Sequence, residues 1–321
     1  MELEQELSQV VTPNGELDGT RILGQQPLYT GRNGKVIERF WIEVEGRRES
    51  FIFKPLTNGT ICGRERWLYD HVLDYVDVRF PKMYVAAAHQ DPLRYWAIYE
   101  DMGEMKHQLE EEEYLEAAAS IVKWHKLPLN SIPANFNGDK PALKALIQEV
   151  RNGLNAKRHW QVLGGDERKM KNIQQLLTFM KDNFETEMVI SHGDYHQGNV
   201  ARGVDEFIVL DWEFMHQNAV FWDLYGLLDM SHPDFPKKIS SSTRIAALQA
   251  YMTQRNTLDW EVDAQSFILD YHRYALVHSL WMLSLIEKDV LKGLWDKRKL
   301  QRAQQETLHT IDVCLLYCDA D

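Results

Sequence analysis

The 321-residue sequence has only three cysteines, Cys62, Cys314 and Cys318, too few and too scattered for a disulfide framework. Cys314 and Cys318 fall four apart in a helical pattern, a spacing that reads as core thiols before it reads as a metal site. No apolar run approaches the roughly 20 residues of a membrane-spanning helix. The first residues, Met-Glu-Leu-Glu-Gln-Glu-Leu, are acidic where a secretory leader is basic and then apolar, so a cytoplasmic protein with no membrane partner is expected. Basic charge is also short: 36 Lys and Arg stand against 48 Asp and Glu, a net charge of −12. That balance argues against nucleic acid as the main partner, which would need a basic face. It is compatible with a cationic small molecule, although net charge speaks first to solubility. No Walker A sequence occurs, which speaks against a P-loop fold. Internal repeats and low-complexity tracts are also missing.

Hydrophobic residues are plentiful, at 44% with ten Trp, and suit a sizeable core. The length suits two domains or one domain of two lobes. The first hundred residues read as strands and turns. Residues 21–30, 35–45 and 49–54 are β-rich, and Asn33-Gly34 is a strong hairpin signal. A helical pattern at 64–77 carries Trp67, Leu68, His71, Val72 and Tyr75, and strand-like runs follow at 82–88 and 95–100. Beyond residue 109 long helices dominate, at 110–126, 142–156, 165–186, 241–255, 261–288 and 291–317, with a proline-rich connection at 128–141. A short β island, 188–192, 199–202 and 207–211, interrupts them, with a turn at 203–206.

The opening of that island, Ile-Ser-His-Gly-Asp-Tyr-His-Gln-Gly-Asn-Val at 190–200, concentrates chemistry. As a metal-hydrolase site, His192, Asp194 and His196 would need further ligands, and no second cluster supplies them. As turn-formers, Asp and Asn would bond local backbone. A third reading covers more of the chain. Phosphoryl transfer of the kinase type uses an aspartate beside the acceptor hydroxyl, an asparagine five residues on that holds magnesium, and a second metal-binding aspartate after a short hairpin. Asp194 and Asn199 have that spacing, and the hairpin ends in Asp211-Trp212-Glu213. The same chemistry calls upstream for a strand lysine oriented by a glutamate on the next helix. Lys54 ends the apolar strand Phe-Ile-Phe-Lys, and Glu65 opens the following helix. Their bland alternatives are an ordinary strand-end lysine and a helix-terminal charge. The turn at 31–34 sits where a phosphate-covering loop belongs but lacks the fuller glycine pattern, and a plain hairpin explains it equally well.

With these residues in place, the sequence resembles the aminoglycoside phosphotransferase and choline kinase superfamily, small-molecule kinases with a protein-kinase-like fold. The matching stretches are HGDYHQGN at 192–199, VLDWEF at 209–214, FWDL at 221–224, VKWHKLP at 122–128 and WAIYEDMGE at 96–104. The resemblance implies an α+β, two-lobe fold, with an N-terminal antiparallel sheet carrying one helix and a larger, mainly α C-terminal lobe. It divides the chain into a nucleotide-binding lobe with hinge, residues 1–102, and a catalytic and substrate-binding lobe, residues 103–321. By position, Asp194 would be the catalytic base, and Asn199 and Asp211 would hold Mg2+ with help from Glu213. Lys54 would bind the phosphates of ATP or GTP, oriented by Glu65. The backbone near Glu100 and Met102 would meet the adenine, with Tyr99 behind it. Asp223 and His192 would brace the catalytic loop. His196 is left between a supporting or phosphate contact and simple packing.

The acceptor is less defined. Phe267, Tyr271, Tyr274, His278 and Trp281 form a stripe that reads mostly as core. Trp212, Phe214, Phe221, Trp222 and Tyr225, with Glu213, Asp229 and Asp234, suit a cationic amine. Residues 103–321 hold 32 acidic and 24 basic side chains, most of the net negative charge. The expected activity is therefore phosphorylation of a small-molecule hydroxyl, cationic and of aminoglycoside or amino-alcohol type, by a monomer or homodimer. A choline-, ethanolamine- or sugar-type kinase and a non-catalytic nucleotide binder are the alternatives. A protein substrate is disfavoured, since the eleven residues between Asp211 and Asp223 leave no room for an activation segment.

Overall fold

The Asn33-Gly34 pair turns the chain as its conformational freedom allows. Gly34 adopts a φ of +80°, and its N–H donates to the Gly31 carbonyl at 2.9 Å. Across this turn β1 (Gly24–Thr30) pairs antiparallel with β2 (Val36–Val44). β3 (Arg47–Pro55), β4 (Met83–Ala86) and β5 (Trp96–Glu100) complete a five-stranded antiparallel sheet of order β1-β2-β3-β5-β4. The structure is a computed structural model, and it describes residues 2–31, 33–56, 62–138, 141–155, 161–203, 206–237, 239–293 and 295–318. Five sequence expectations fall partly outside the described residues: position 32 of the first turn, 139–140 of the proline-rich connection, 156 at a helix end, 204–205 of the turn at 203–206, and 294 of the helix at 291–317.

The chain divides into two compact units, Met1–Lys106 with Ala201–Glu213, and His107–Val200 with Phe214–Asp321. In the first unit the alternation of the strands sorts side chains onto two faces. Phe40, Ile42, Phe51, Phe53, Trp96 and Ile98 form one cluster, closed by Leu7 and Val10 from and just after an N-terminal helix, α1 (Glu2–Gln9). Burying two such side chains contributes about 1.5–3 kcal/mol each. Ile52, Ala97, Tyr99 and Met83 lie on the opposite face with Tyr69 of α2 (Arg64–His71). The expected helix at 64–77 stops early. Val72 leaves helical geometry at φ −127°, its N–H still bonding the Leu68 carbonyl, and a 3-10 turn follows at Leu73–Tyr75. Tyr75 is consequently 71% exposed, not a core residue. A hairpin of β7 (Val200–Arg202) and β8 (Phe207–Val209) leads to a 3-10 turn at Trp212–Phe214.

The second unit is mostly helical. The run of glutamates opens α3 (Glu111–Ser120) through a capping box, in which the Glu110 N–H donates to Glu113 Oε2 at 2.7 Å. α4 (Val122–His125), α5 (Leu143–Asn155) and α6 (Glu167–Asn183) follow. β6 (Met188–Ser191) pairs antiparallel with β9 (His216–Ala219), a strand whose polar sequence gave no β signal. After α7 (Trp222–Leu228) come α8 (Ser241–Asn256), capped by Ser240, and α9 (Ala264–Lys292), capped by Asp263. Gly293, at φ +64°, ends α9 four residues later than the expected boundary, and α10 (Lys297–Cys318) completes the unit. The stripe Phe267, Tyr271, Tyr274, His278 and Trp281 is buried, as the core reading has it. Among the described residues no helix is long and apolar enough to cross a membrane.

Candidate active site

Each unit carries its own constellation. In the first, Lys54 stands on β3 two residues beyond Ile52, so both point to the face that α2 covers. Its Nζ lies 3.0 Å from Glu65 Oε2, 2.7 Å from Asp211 Oδ1 and 3.8 Å from Glu213 Oε2. Burial would lower the pKa of this ammonium, but Asp211, Glu213 and Glu65 outweigh it and hold Lys54 well above the ordinary lysine range. Glu65 also accepts a hydrogen bond from Tyr99 Oη at 2.8 Å, so the tyrosine fixes the glutamate that fixes the lysine. Burial, and then the Glu65 charge, push the Tyr99 phenol well above its usual range, so it stays a donor.

Asp211 is one of three non-glycine residues at positive φ among the described residues, at +59°. That conformation costs of order 1–3 kcal/mol and persists where surroundings impose it. Its carboxylate is 40% exposed, whereas that of Glu213 is 7% exposed. Two carboxylates reaching one ammonium form an all-oxygen donor set. Such a set fits Mg2+, which takes one or two carboxylates and completes its shell with phosphate oxygens and water. No group of three His, Cys, Asp or Glu residues that could hold a metal ion by itself occurs among the described residues.

Glu100 and Met102 stand at and just after the end of β5. The Glu100 side chain is engaged by Arg79 Nη2 at 2.5 Å and by the Lys82 N–H at 3.1 Å. Sequence reasoning missed Arg39. It sits on β2 opposite Ile52 and makes a bidentate pair with Asp101, at 2.6 and 2.9 Å, while also reaching the Gly103 carbonyl at 3.1 Å. This fork fixes the segment 100–103. A charged residue alternating with apolar ones in VIERFWIEV was its only signal.

In the second unit the loop after β6 is built around one buried carboxylate. Asp223 of α7 is fully buried and accepts five hydrogen bonds. Oδ1 takes Ser191 Oγ at 2.8 Å and the Gly193 N–H at 3.2 Å. Oδ2 takes the His192 N–H at 2.8 Å, Trp124 Nε1 at 2.8 Å and His125 Nε2 at 3.1 Å. Burial pushes the Asp223 pKa up, but His125 and the other donors prevail and hold it far below the usual carboxylate range. Trp124 and His125 belong to the VKWHKLP stretch, which sequence reasoning noticed without giving either a task. Gly193 is required here, because at φ +86° a Cβ would stand 2.1 Å from the Phe214 carbonyl oxygen.

Asp194 follows with a side chain 33% exposed. Asn199 Nδ2 donates to its backbone oxygen at 2.9 Å and to Oδ2 at 3.1 Å, which leaves the Asn199 amide oxygen available. His196 Nε2 is 3.5 Å from the same Oδ2.

Several residues expected near a cationic acceptor are committed elsewhere. Asp229 is 2% exposed and held by Arg244 at 2.6 Å and by Tyr271. Asp234 pairs with Lys299 at 2.7 Å. Phe221, Trp222 and Tyr225 are buried with Tyr274 and His278, and Trp212 is buried against Phe80. These rings are core, not a ligand wall. Negative charge does gather at an open groove of about 680 Å³ lined by Glu110, Glu111, Glu112 and Glu113 with Leu115 and Ala246.

Comparison with known proteins adds to this geometry. Residues 65–262 match the phosphotransferase enzyme family (APH). No curated protein matches the sequence. A choline kinase from Cryptosporidium parvum Iowa II is similar in structure at 14% identity and a TM-score of 0.56, covering 97% of this chain and 94% of its own. A choline/ethanolamine kinase family protein from Mesorhizobium loti has 12% identity and a TM-score of 0.56, over 100% and 99% of the two chains. A thermostable mutant of the aminoglycoside phosphotransferase APH(4)-Ia, in ternary complex with ADP and hygromycin B, has 14% identity and a TM-score of 0.54, over 99% of each chain. The α+β fold, with its N-terminal five-stranded sheet and helical C-terminal part, is that of these kinase-like enzymes.

Proposed function

The chain belongs to the phosphotransferase enzyme family, and on that premise we propose that it transfers the γ-phosphoryl group of ATP or GTP to a hydroxyl of a cationic small molecule. The observation that carries this reading is Lys54, held by Glu65 on one side and by Asp211, in a left-handed backbone conformation, on the other. In the proposed reaction the acceptor oxygen bonds to the γ-phosphorus as the bond from that phosphorus to the β–γ bridging oxygen breaks. The acceptor proton passes to Asp194, and the products are the phosphorylated acceptor and a nucleoside diphosphate.

Lys54 neutralises the nucleotide phosphates, with Glu65 and Tyr99 setting its position. Asp211, the Asn199 amide oxygen and Glu213 would hold Mg2+, which offsets phosphate charge when bound. The segment Glu100–Met102, fixed by Arg39, offers its backbone to the nucleobase. In this scheme residues 1–102 serve the nucleotide, and residues 103–321 serve catalysis and the acceptor. The cationic acceptor is supported by the acidic excess of residues 103–321 and by the glutamate-lined groove at the start of α3.

Calorimetry tests the nucleotide half. Asp211→Asn should weaken Mg–ATP binding, whereas Asp194→Asn should bind it as tightly as the parent. Equal affinity in the parent and Asp211→Asn would reject the metal role. For the acceptor half, kcat/KM is compared for matched cationic and neutral alcohols at low and high salt. A salt-independent preference for the neutral compound would reject the cationic class.

A further inference from the structure

His196 lies within reach of the proposed base, yet the reaction as written gives it no task. Its Nδ1 accepts the Gly198 N–H at 2.9 Å, so the ring proton of the uncharged imidazole sits on Nε2. That Nε2–H lies 3.5 Å from Asp194 Oδ2, the same oxygen that takes the Asn199 amide at 3.1 Å. A separation of 3.5 Å is long for a hydrogen bond, as such contacts often are before substrate binds.

The imidazole is also held in place. His232 stacks on it, with centroids 5.3 Å apart and planes at 14°, and Phe235 packs at 5.7 Å. Gly198 makes room for this arrangement, since a Cβ there would meet the Phe235 ring at 2.5 Å. The segment 232–235 is tied down in turn. The Asp234 N–H bonds His232 Nδ1 at 3.1 Å, Lys299 of α10 pairs with Asp234, Arg302 of α10 donates to the Pro233 carbonyl, and Trp295 meets His232 edge-on at 5.7 Å. A surface loop anchored on a C-terminal helix thus clamps a ring beside the reacting carboxylate. A histidine serving only as packing would not need its proton directed at Asp194.

We propose that His196 is a positioning residue for the base. Its Nε2–H and the Asn199 amide together hold Asp194 Oδ2 and so fix the orientation of the carboxylate that takes the acceptor proton. The loop 232–235 keeps the imidazole in register. This inference rests on Asp194 being the base, and the experiment separates the two.

Turnover of Mg–ATP is measured for the parent, Asp194→Asn, His196→Ala, His196→Phe and His196→Gln, first with water as the acceptor and then with choline, ethanolamine and hygromycin B as probes. Nucleotide affinity is followed by calorimetry and folding by thermal melting. Loss of a supporting hydrogen-bond partner typically costs 10–100-fold. His196→Ala and His196→Phe should lose about that much kcat with unchanged nucleotide affinity, and His196→Gln, which keeps a donor at the Nε2 position, should recover most of it. Long-range ¹⁵N spectra of the parent should show His196 protonated at Nε2 only. If His196→Gln is as slow as His196→Ala while both melt like the parent, or if the proton is found on Nδ1, the positioning role is overturned. If Asp194→Asn turns over normally, the base assignment itself fails. Slow Asp194→Asn with a fully active His196→Ala would overturn the positioning role of His196 and leave the base assignment standing.

Discussion

Replacing Asp223 separates an anchor from an ordinary buried acid. In Asp223→Ala the Ser191 hydroxyl is free to rotate, but the two backbone N–H groups of His192 and Gly193, and the Trp124 and His125 donors, lose the Asp223 acceptor. An unpaired buried donor costs about 1–3 kcal/mol. Ser191 Oγ already lies 3.0 Å from the Gly193 N–H and relieves one of the four. The remaining three amount to about 3–9 kcal/mol, a large share of the 5–15 kcal/mol typical of a folded domain. Asp223→Asn differs, because its amide oxygen can keep the Oδ2 donors while its NH2 donates to a reversed Ser191 hydroxyl. That variant loses charge assistance, about 1 kcal/mol per bond over the bonds it retains, and is relieved of the cost of burying a charge. The expected net loss is about 2–4 kcal/mol for Asn and about 3–9 kcal/mol, up to failure to fold, for Ala. Urea denaturation followed by circular dichroism measures both. An Asp223→Ala protein with the parent's midpoint and slope would refute the idea that one carboxylate organises the loop after β6.

Lys54→Met removes the cation from among three carboxylates, in a site where the lysine side chain is 11% exposed. Breaking a buried pair costs about 3–5 kcal/mol, and the partial exposure of Asp211 reduces this to about 2–4 kcal/mol. Magnesium should raise the melting temperature of Lys54→Met more than that of the parent, because a divalent ion can replace the lost charge; an equal or smaller rise would contradict the metal role of Asp211 and Glu213. A separate expectation concerns acid. His278 is 2% exposed, neither ring nitrogen has a hydrogen-bond partner, and burial pushes its pKa down to about 3. The unfolded chain takes up this proton below a pH of about 6.5 and the folded one does not, so stability present above that pH falls on acidification toward about 3, by up to about 1.4 kcal/mol per pH unit. His278→Phe should flatten the dependence of the urea midpoint on pH between neutrality and mild acid. An unchanged slope would mean that other groups govern it.

Much of the candidate site was legible because kinase-type phosphoryl transfer restricts residue type and spacing together. An aspartate five residues before an asparagine is common by chance, but one followed by a hairpin and a second aspartate, with a lysine ending an apolar strand upstream, is not, and Lys54 with Glu65 and Asp194 with Asn199 do meet in the structure. Other features depended on partners far along the chain. α1 reads as an acidic, soluble start, and only the sheet face formed by residues 40–98 gives Leu7 something to bury against. β9 is His-Gln-Asn-Ala, with three polar residues in succession and no alternation, and exists because its backbone pairs with β6. Asp229 looked available for a cation, since nothing local reveals that Arg244 of α8 reaches it. The aromatic cluster at 221–225 was read as a ligand wall because a helix buried on every side carries no periodicity to show that it is core.

The central claim is that this chain moves a phosphoryl group with Asp194 as the base on the acceptor. The most direct measurement is transfer of radiolabelled γ-phosphate from Mg–ATP to small hydroxylated amines, comparing the parent with Asp194→Asn at saturating nucleotide. The account expects a labelled acceptor with the parent, and a loss of about 10²–10⁴-fold in kcat with Asp194→Asn at unchanged nucleotide affinity. Labelled product formed equally by both proteins would contradict it.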